Sequence, residues 1–97
     1  MRVISRRRLR EFWQSRPDSE GSLKAWFAEA KAAAWKTPAD VKAHYGSASI
    51  LKNGRVVFNV CGNKYRLVVR VNYDYAVVYV RFVGTHHDYD AIDAETV

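Results

Sequence analysis

Asn53-Gly54 sits between Ser49-Ile50-Leu51 and Arg55-Val56-Val57-Phe58-Asn59-Val60. An Asn-Gly pair between β-rich runs is the strongest short hairpin signal a sequence carries. It commits the second half of the chain to an antiparallel sheet. Gly62-Asn63 and Asn72-Tyr73-Asp74 break the chain again, leaving strands near residues 64–72 and 76–83 and predicting a four-stranded meander. Val3-Ile4 is a candidate for an extra edge strand. Alternation along the strands puts Val56, Phe58 and Val60, then Leu67, Val69 and Val71, then Val78, Val80 and Phe82 on one face. The opposite face receives Arg55, Asn59, Lys64, Arg66, Arg70 and Arg81, with Val57, Val68, Val77, Tyr79 and Val83 among them.

The first half has a different period. Leu9, Phe12 and Trp13 share one face of a short helix, and Leu23, Trp26, Phe27, Ala30 and Ala34 follow the spacing of an apolar helical stripe. The turn formers Pro17 to Ser22 separate the two. Thr37-Pro38 ends the alanine-rich helix or restarts a short one, with Thr37 as cap and Pro38 in its first turn. The expected fold is therefore α+β, with N-terminal helices packed on one face of the sheet. At 97 residues a single domain, 1–97, is expected.

Charge says more than composition. From Met1 to Arg16 six arginines stand against Glu11 alone, and from Lys42 to Arg81 seven basic residues stand against Asp74 alone. The formal net charge is +6, and a positive surface of this size invites a polyanion, nucleic acid above all. The bland alternative is a solvated basic surface kept for solubility. The apolar runs are cut by Arg66, Arg70 and Arg81, so none is long enough to span a membrane. Arg6-Arg7-Arg8-Leu9-Arg10 followed by aromatics does not read as a secretory signal, and a cytoplasmic protein is expected. Cys61 is the only cysteine, without a partner for a disulfide or a thiolate metal site.

Cleavage of an RNA phosphodiester needs a base for the 2′-OH, cations for the crowded phosphorane and an acid for the leaving 5′-oxygen. Arg66, Arg70 and Arg81 supply the cations, because a guanidinium fork grips phosphate oxygens. Gly84-Thr85-His86-His87-Asp88-Tyr89-Asp90 lies just beyond a strand end and carries the proton-transfer candidates His86, His87 and Tyr89. In an extended segment, adjacent histidines point to opposite sides, so one of the two would face the site. Each residue has a plainer reading as well: a surface histidine pair, a solvated arginine face, a tyrosine anchoring the C-terminal turn. No carboxylate cluster on the sheet suits magnesium, and two adjacent histidines make a poor zinc site, so no metal or other cofactor is expected.

Asn59-Val60-Cys61-Gly62-Asn63-Lys64-Tyr65-Arg66-Leu67, followed by Tyr79-Val80-Arg81-Phe82-Val83-Gly84-Thr85-His86-His87-Asp88-Tyr89-Asp90, resembles the signature of HigB-type toxins of the RelE-like superfamily. The resemblance extends over nearly the whole chain. It implies a RelE-like fold and translation-dependent, metal-independent cleavage of mRNA on the ribosome. It also implies neutralisation by a HigA-type helix-turn-helix antitoxin. Arg66 matches the arginine that contacts the scissile phosphate in RelE-like enzymes. His86 or His87 stands where they place a basic residue, and Tyr89 falls close to their C-terminal tyrosine. Lys52, Arg55, Asn59, Lys64, Arg70 and Arg81 are the expected contacts to the RNA backbone.

Two other functions fit one such scaffold. A ParE-like inhibitor of DNA gyrase would need no proton carriers beside an arginine cluster. A non-catalytic RNA-binding module would be expected to expose several aromatics on its sheet, where only Tyr79 qualifies.

Overall fold

The computed structural model describes residues 1–97. The elements in chain order are β1 (Arg2–Ile4), α1 (Arg6–Ser15), a single 3-10 turn (Pro17–Ser19), α2 (Glu20–Ala32), α3 (Pro38–His44), β2 (Ser49–Ile50), β3 (Arg55–Val60), β4 (Tyr65–Asn72), β5 (Val77–Thr85) and α4 (His86–Asp90). The five strands form one mixed sheet in the order β1-β5-β4-β3-β2. The meander is antiparallel as its turn residues require, and β1 adds the expected edge strand, running parallel to β5 from Arg2 opposite Val77 to Ile4 opposite Tyr79.

Helices α1, α2 and α3 cover one face. Leu9 and Trp13 of α1, Leu23, Trp26 and Ala30 of α2, and Val41 of α3 join Val56, Phe58, Val60, Tyr65, Leu67, Val69, Val71, Val78 and Val80 in the main core. Truncating a wholly buried leucine such as Leu9 or Leu67 to alanine would cost about 2–5 kcal/mol. α2 stops at Ala32, so Ala34 lies outside the helix and is exposed. Trp35 is buried in its stead. α3 starts as expected, with Pro38 in its first turn and a reciprocal cap in which Thr37 Oγ1 accepts from Asp40 N and Asp40 Oδ2 accepts from Thr37 N.

A bulge in β5 alters the expected face assignment. Val68 stands opposite Phe82 and Val69 opposite Val80, so Arg81 is an extra residue with no partner on β4. Below it the even positions Val78 and Val80 face the helices. Above it the parity reverses: Val83 packs on the main core, and Phe82 joins the opposite face. Expectation had placed Phe82 with the helices and Val83 among the basic residues; one inserted residue exchanges them.

The opposite face is not bare. Residues 91–97 fold back over it, burying Ala94 against Val57 and Val68, with Leu51, Phe82, Tyr89, Ile92 and Val97 around them. No helix is long and apolar enough to cross a membrane.

Candidate active site

Arg66 lies on the face away from the helices, directly opposite Gly84 in the β4–β5 ladder. Its Nη1 donates to the carbonyl oxygens of Asn63 at 2.9 Å and Tyr65 at 3.3 Å. The guanidinium is thereby tied to the β3–β4 turn, while Nε and Nη2 keep their hydrogens for a ligand. The turn that fixes it depends on left-handed backbone at Cys61 and Gly62. It is pinned from outside by Asp18, which accepts from Tyr65 OH at 2.7 Å and pairs with Lys64 Nζ. These two hydrogen bonds, Lys64 first, hold the Asp18 carboxyl below its usual range. Hydrogen bonding to Asp18 raises Lys64 and Tyr65 in turn.

Beyond Gly84 the chain does not stay extended. Thr85 caps α4: its Oγ1 accepts from Asp88 N at 3.1 Å and its N–H donates to Asp88 Oδ2 at 3.3 Å. His86 and His87 therefore sit on a helical turn, about 100° apart around its axis, rather than on opposite sides of a strand. His86 Nδ1 lies 3.2 Å from Asp90 Oδ2, one turn on. His87 has no such carboxylate beside it. Both imidazoles are exposed and Tyr89 is half-buried, its ring packed against the Val57, Val68 and Ala94 cluster. The anchoring part expected of a structural tyrosine is thus real.

Gly84 is what lets α4 lie this close. A Cβ there would stand 2.7 Å from Phe82 Cζ and 3.2 Å from Asp88 Cβ, closer than packed carbons allow. Arg66, the bare backbone of Gly84 and the first turn of α4, which carries His86, His87 and Tyr89, thus come together at one end of the β4–β5 ladder.

The remaining basic candidates divide. Asn59 is half-buried opposite Arg66, and exposed Arg70 stands directly opposite Arg55. Arg55 Nη2 and Arg81 Nε both donate to the Val97 carbonyl oxygen, at 2.8 and 3.3 Å. Lys52 is exposed in the turn before β3. Lys64 leaves the group: it precedes β4 and is held by Asp18 of the 3-10 turn, because Tyr65, not Lys64, starts the strand. Gly84, Asp88 and Asp90 went unrecognised in the sequence. The Thr85-x-x-Asp88 capping pattern was the signal for α4, and Asp90 then follows from its spacing to His86. Among all residues, no three of His, Cys, Asp and Glu converge as a metal site would require.

A basic α+β sheet protein with an arginine set beneath a short histidine-bearing helix has the plan of a RelE-like toxin. The HigB toxin family model, described as the RelE-like toxic component of a toxin–antitoxin system, matches residues 19–92, and the chain belongs to that family. It is 30% identical over 96 residues to the mRNA interferase toxin HigB of Escherichia coli strain K12, covering 97% of this chain and 92% of that protein. The mRNA interferases HigB of Escherichia coli O157:H7 and Shigella flexneri match with the same identity and coverage.

Proposed function

We propose that this toxin is an endoribonuclease that cleaves mRNA on the translating ribosome, in the cytoplasm, by attack of a 2′-OH on the adjacent phosphate. The observation that carries it is the juxtaposition of Arg66 with the first turn of α4 across side-chain-free Gly84. In the step, the 2′-oxygen forms a bond to phosphorus as a base takes its proton. The bond to the 5′-oxygen breaks as an acid protonates it, leaving a 2′,3′-cyclic phosphate and a 5′-hydroxyl. Arg66 offers Nε and Nη2 to the phosphorane oxygens, where preorganised donors act most strongly.

His86 is the better-placed proton carrier. A carboxylate at Nδ1 orients the ring and leaves Nε2 turned to the substrate, the arrangement by which carboxylates assist catalytic histidines elsewhere. His87 and Tyr89 are the other two groups within the same turn. The scheme needs no metal, since arginines carry the charge.

Arg55, Asn59, Arg70, Arg81 and Lys52 extend the cationic face along which the RNA backbone would run. Setting Arg70 directly opposite Arg55 works against the sheet, as like charges in a cross-strand pair are destabilising. An anion between them removes that cost. A helix-turn-helix antitoxin of the HigA type is the proposed neutralising partner.

Primer extension on a defined mRNA, with and without translating ribosomes, tests the reading. Cuts confined to the translated region and dependent on ribosomes are expected. An mRNA left intact under both conditions rejects it.

A further inference from the structure

The segment that leads into Arg66 has a demanding backbone. Cys61 and Gly62 are both left-handed, with φ of 54° and 68°, and a residue that has a Cβ, as Cys61 does, resists that conformation. One long bond closes the turn, from Lys64 N–H to the Cys61 carbonyl oxygen at 3.3 Å. Arg66 hangs on this turn, because Asn63 and Tyr65 supply the two carbonyl oxygens to which its Nη1 donates. The direction of the guanidinium is only as well defined as the turn itself.

Asp18 grips the turn from the helix side of the sheet. Its main-chain carbonyl oxygen accepts from Cys61 Sγ at 3.4 Å, one carboxylate oxygen accepts from Lys64 Nζ, and the other accepts from Tyr65 OH at 2.7 Å. Three of the five residues immediately before Arg66 are thus bonded to one aspartate. Tyr65 is the stiffest of these links: it is 1% exposed, and its ring stands edge-on to Phe12 with centroids 5.1 Å apart. Tyr65 and Arg66 are neighbours on β4 and point to opposite faces, so a pull on the phenol is felt by the backbone that carries the arginine. Asp18 is itself firmly placed. Pro17 opens its 3-10 turn, and the wholly buried Ser19 donates through Oγ to the Arg16 carbonyl oxygen at 2.7 Å.

We propose that Asp18 is a positioning residue for Arg66, holding the β3–β4 turn in the one shape whose carbonyls aim the guanidinium at the scissile phosphate; the proposal rests on the reading of the chain as an RNA-cleaving toxin. Asp18 touches neither the RNA nor the reacting atoms. Its effect passes through Cys61, Lys64 and Tyr65. Lys64, lost to the cationic face, gains a use here, since its ammonium closes the latch instead of meeting a phosphate. Without the carboxylate, the Tyr65 hydroxyl would be left with no acceptor inside a buried residue, a state costly enough to move the side chain. Arg66 would move with it. Preorganised donors are sensitive to such shifts, and a misplacement of about 1 Å can cost roughly a hundredfold in rate.

A double-variant cycle on the full chain tests this. In single-turnover cleavage on translating ribosomes, Asp18→Ala should lower the saturating rate by roughly tenfold to a hundredfold. The toxin concentration giving half that rate should change little, because the interaction lost belongs to the transition state. Asp18→Asn, which keeps one oxygen for the Tyr65 hydroxyl, should fall between Asp18→Ala and the parent. In the Arg66→Ala background, Asp18→Ala should leave the residual rate nearly unchanged, since residues that act through one another are not additive. Rates are compared where urea unfolding shows each variant folded; if Asp18→Ala does not fold, Tyr65→Phe and Lys64→Ala each remove one bond and run the same cycle. A second readout needs no cleavage: the Nε–H NMR signal of Arg66 should shift or broaden in Asp18→Ala. Slowing of the parent and of the Arg66→Ala protein by the same factor, or an Arg66 signal left unmoved, overturns the positioning role and leaves the proposed function standing. A shifted Arg66 signal in a protein that cleaves no mRNA upholds the link from Asp18 to Arg66 and rejects the ribonuclease reading instead.

Discussion

Arg66 and Gly84 face each other across the β4–β5 ladder, and the space above the glycine is filled by Phe82 from one side and Asp88 from the other. The absence of a side chain at residue 84 sets how near α4 comes to the arginine. Gly84→Ala should therefore push Phe82 or α4 aside. Overpacking of this kind costs about 1–3 kcal/mol, and the displaced helix should lower single-turnover cleavage well beyond what the stability loss explains. Urea unfolding and cleavage measured on the same preparation separate the two effects. A variant as active as the parent would show that α4 has no part in the chemistry.

Arg66→Ala should remove roughly two to three orders of magnitude from the cleavage rate, by analogy with the loss of one oxyanion donor. The fold should survive, because the side chain is half-exposed and bonded only to turn carbonyls. Arg66→Lys should recover only part of the loss, as an ammonium cannot hold the turn and grip a phosphate at once. Growth arrest by a folded Arg66→Ala protein equal to the parent's would remove the arginine from the mechanism.

The two histidines should differ. His86→Ala is expected to lower the rate by roughly two to four orders of magnitude, and Asp90→Asn, which leaves the imidazole without its orienting carboxylate, to lower it less. His87→Ala should be milder than His86→Ala. Tyr89→Phe keeps the packed ring and removes only the hydroxyl, so any loss reports on proton transfer and not on folding. Equal, near-parental rates in all four variants would leave the arginines as the sole agents.

Stability should depend on pH through Asp18. Lys64 and Tyr65 hold its carboxyl low in the folded state, so its contribution is complete above the unfolded carboxylate value of about 4 and is lost as pH falls through the folded one. Lys64 and Tyr65 are raised, so theirs is complete below the unfolded value of about 10 and is lost as pH rises through the folded ones. The urea midpoint of Asp18→Asn should fall below the parent's at pH 7, and the gap should close in acid. A gap that persists unchanged at pH 3 would mean that the charge on Asp18 does not matter.

The meander and the edge strand were legible because Asn53-Gly54 and the β-branched runs specify turns and pleats with little room for alternatives. The bulge was not. From Val77 to Val83 only Tyr79 and Arg81 interrupt the apolar residues, so alternation could not say where the parity changes, and Phe82 and Val83 exchanged faces as a result. A helix cap is legible at Thr37, where Pro38 reinforces it, but not at Thr85, which continues straight from β5 and is followed by no proline. That hid α4 and with it the His86–Asp90 pair. Arg66 falls on the face away from the helices, as alternation predicts, because β4 pairs regularly with β5 from Tyr65 to Val68. Lys64 was misplaced because the strand begins one residue later than the turn residues suggested.

Arg2 finds its partner at Val77, far along the chain, and β5 is the strand that joins β1 to the meander. During synthesis the first strand has no neighbour until β5 has emerged, and contacts so distant in sequence are slow to form. A chain of the first eighty residues would carry neither α4 nor a complete β5. By this architecture the corner that joins Arg66, Gly84 and α4 can assemble only after residue 90 has been made.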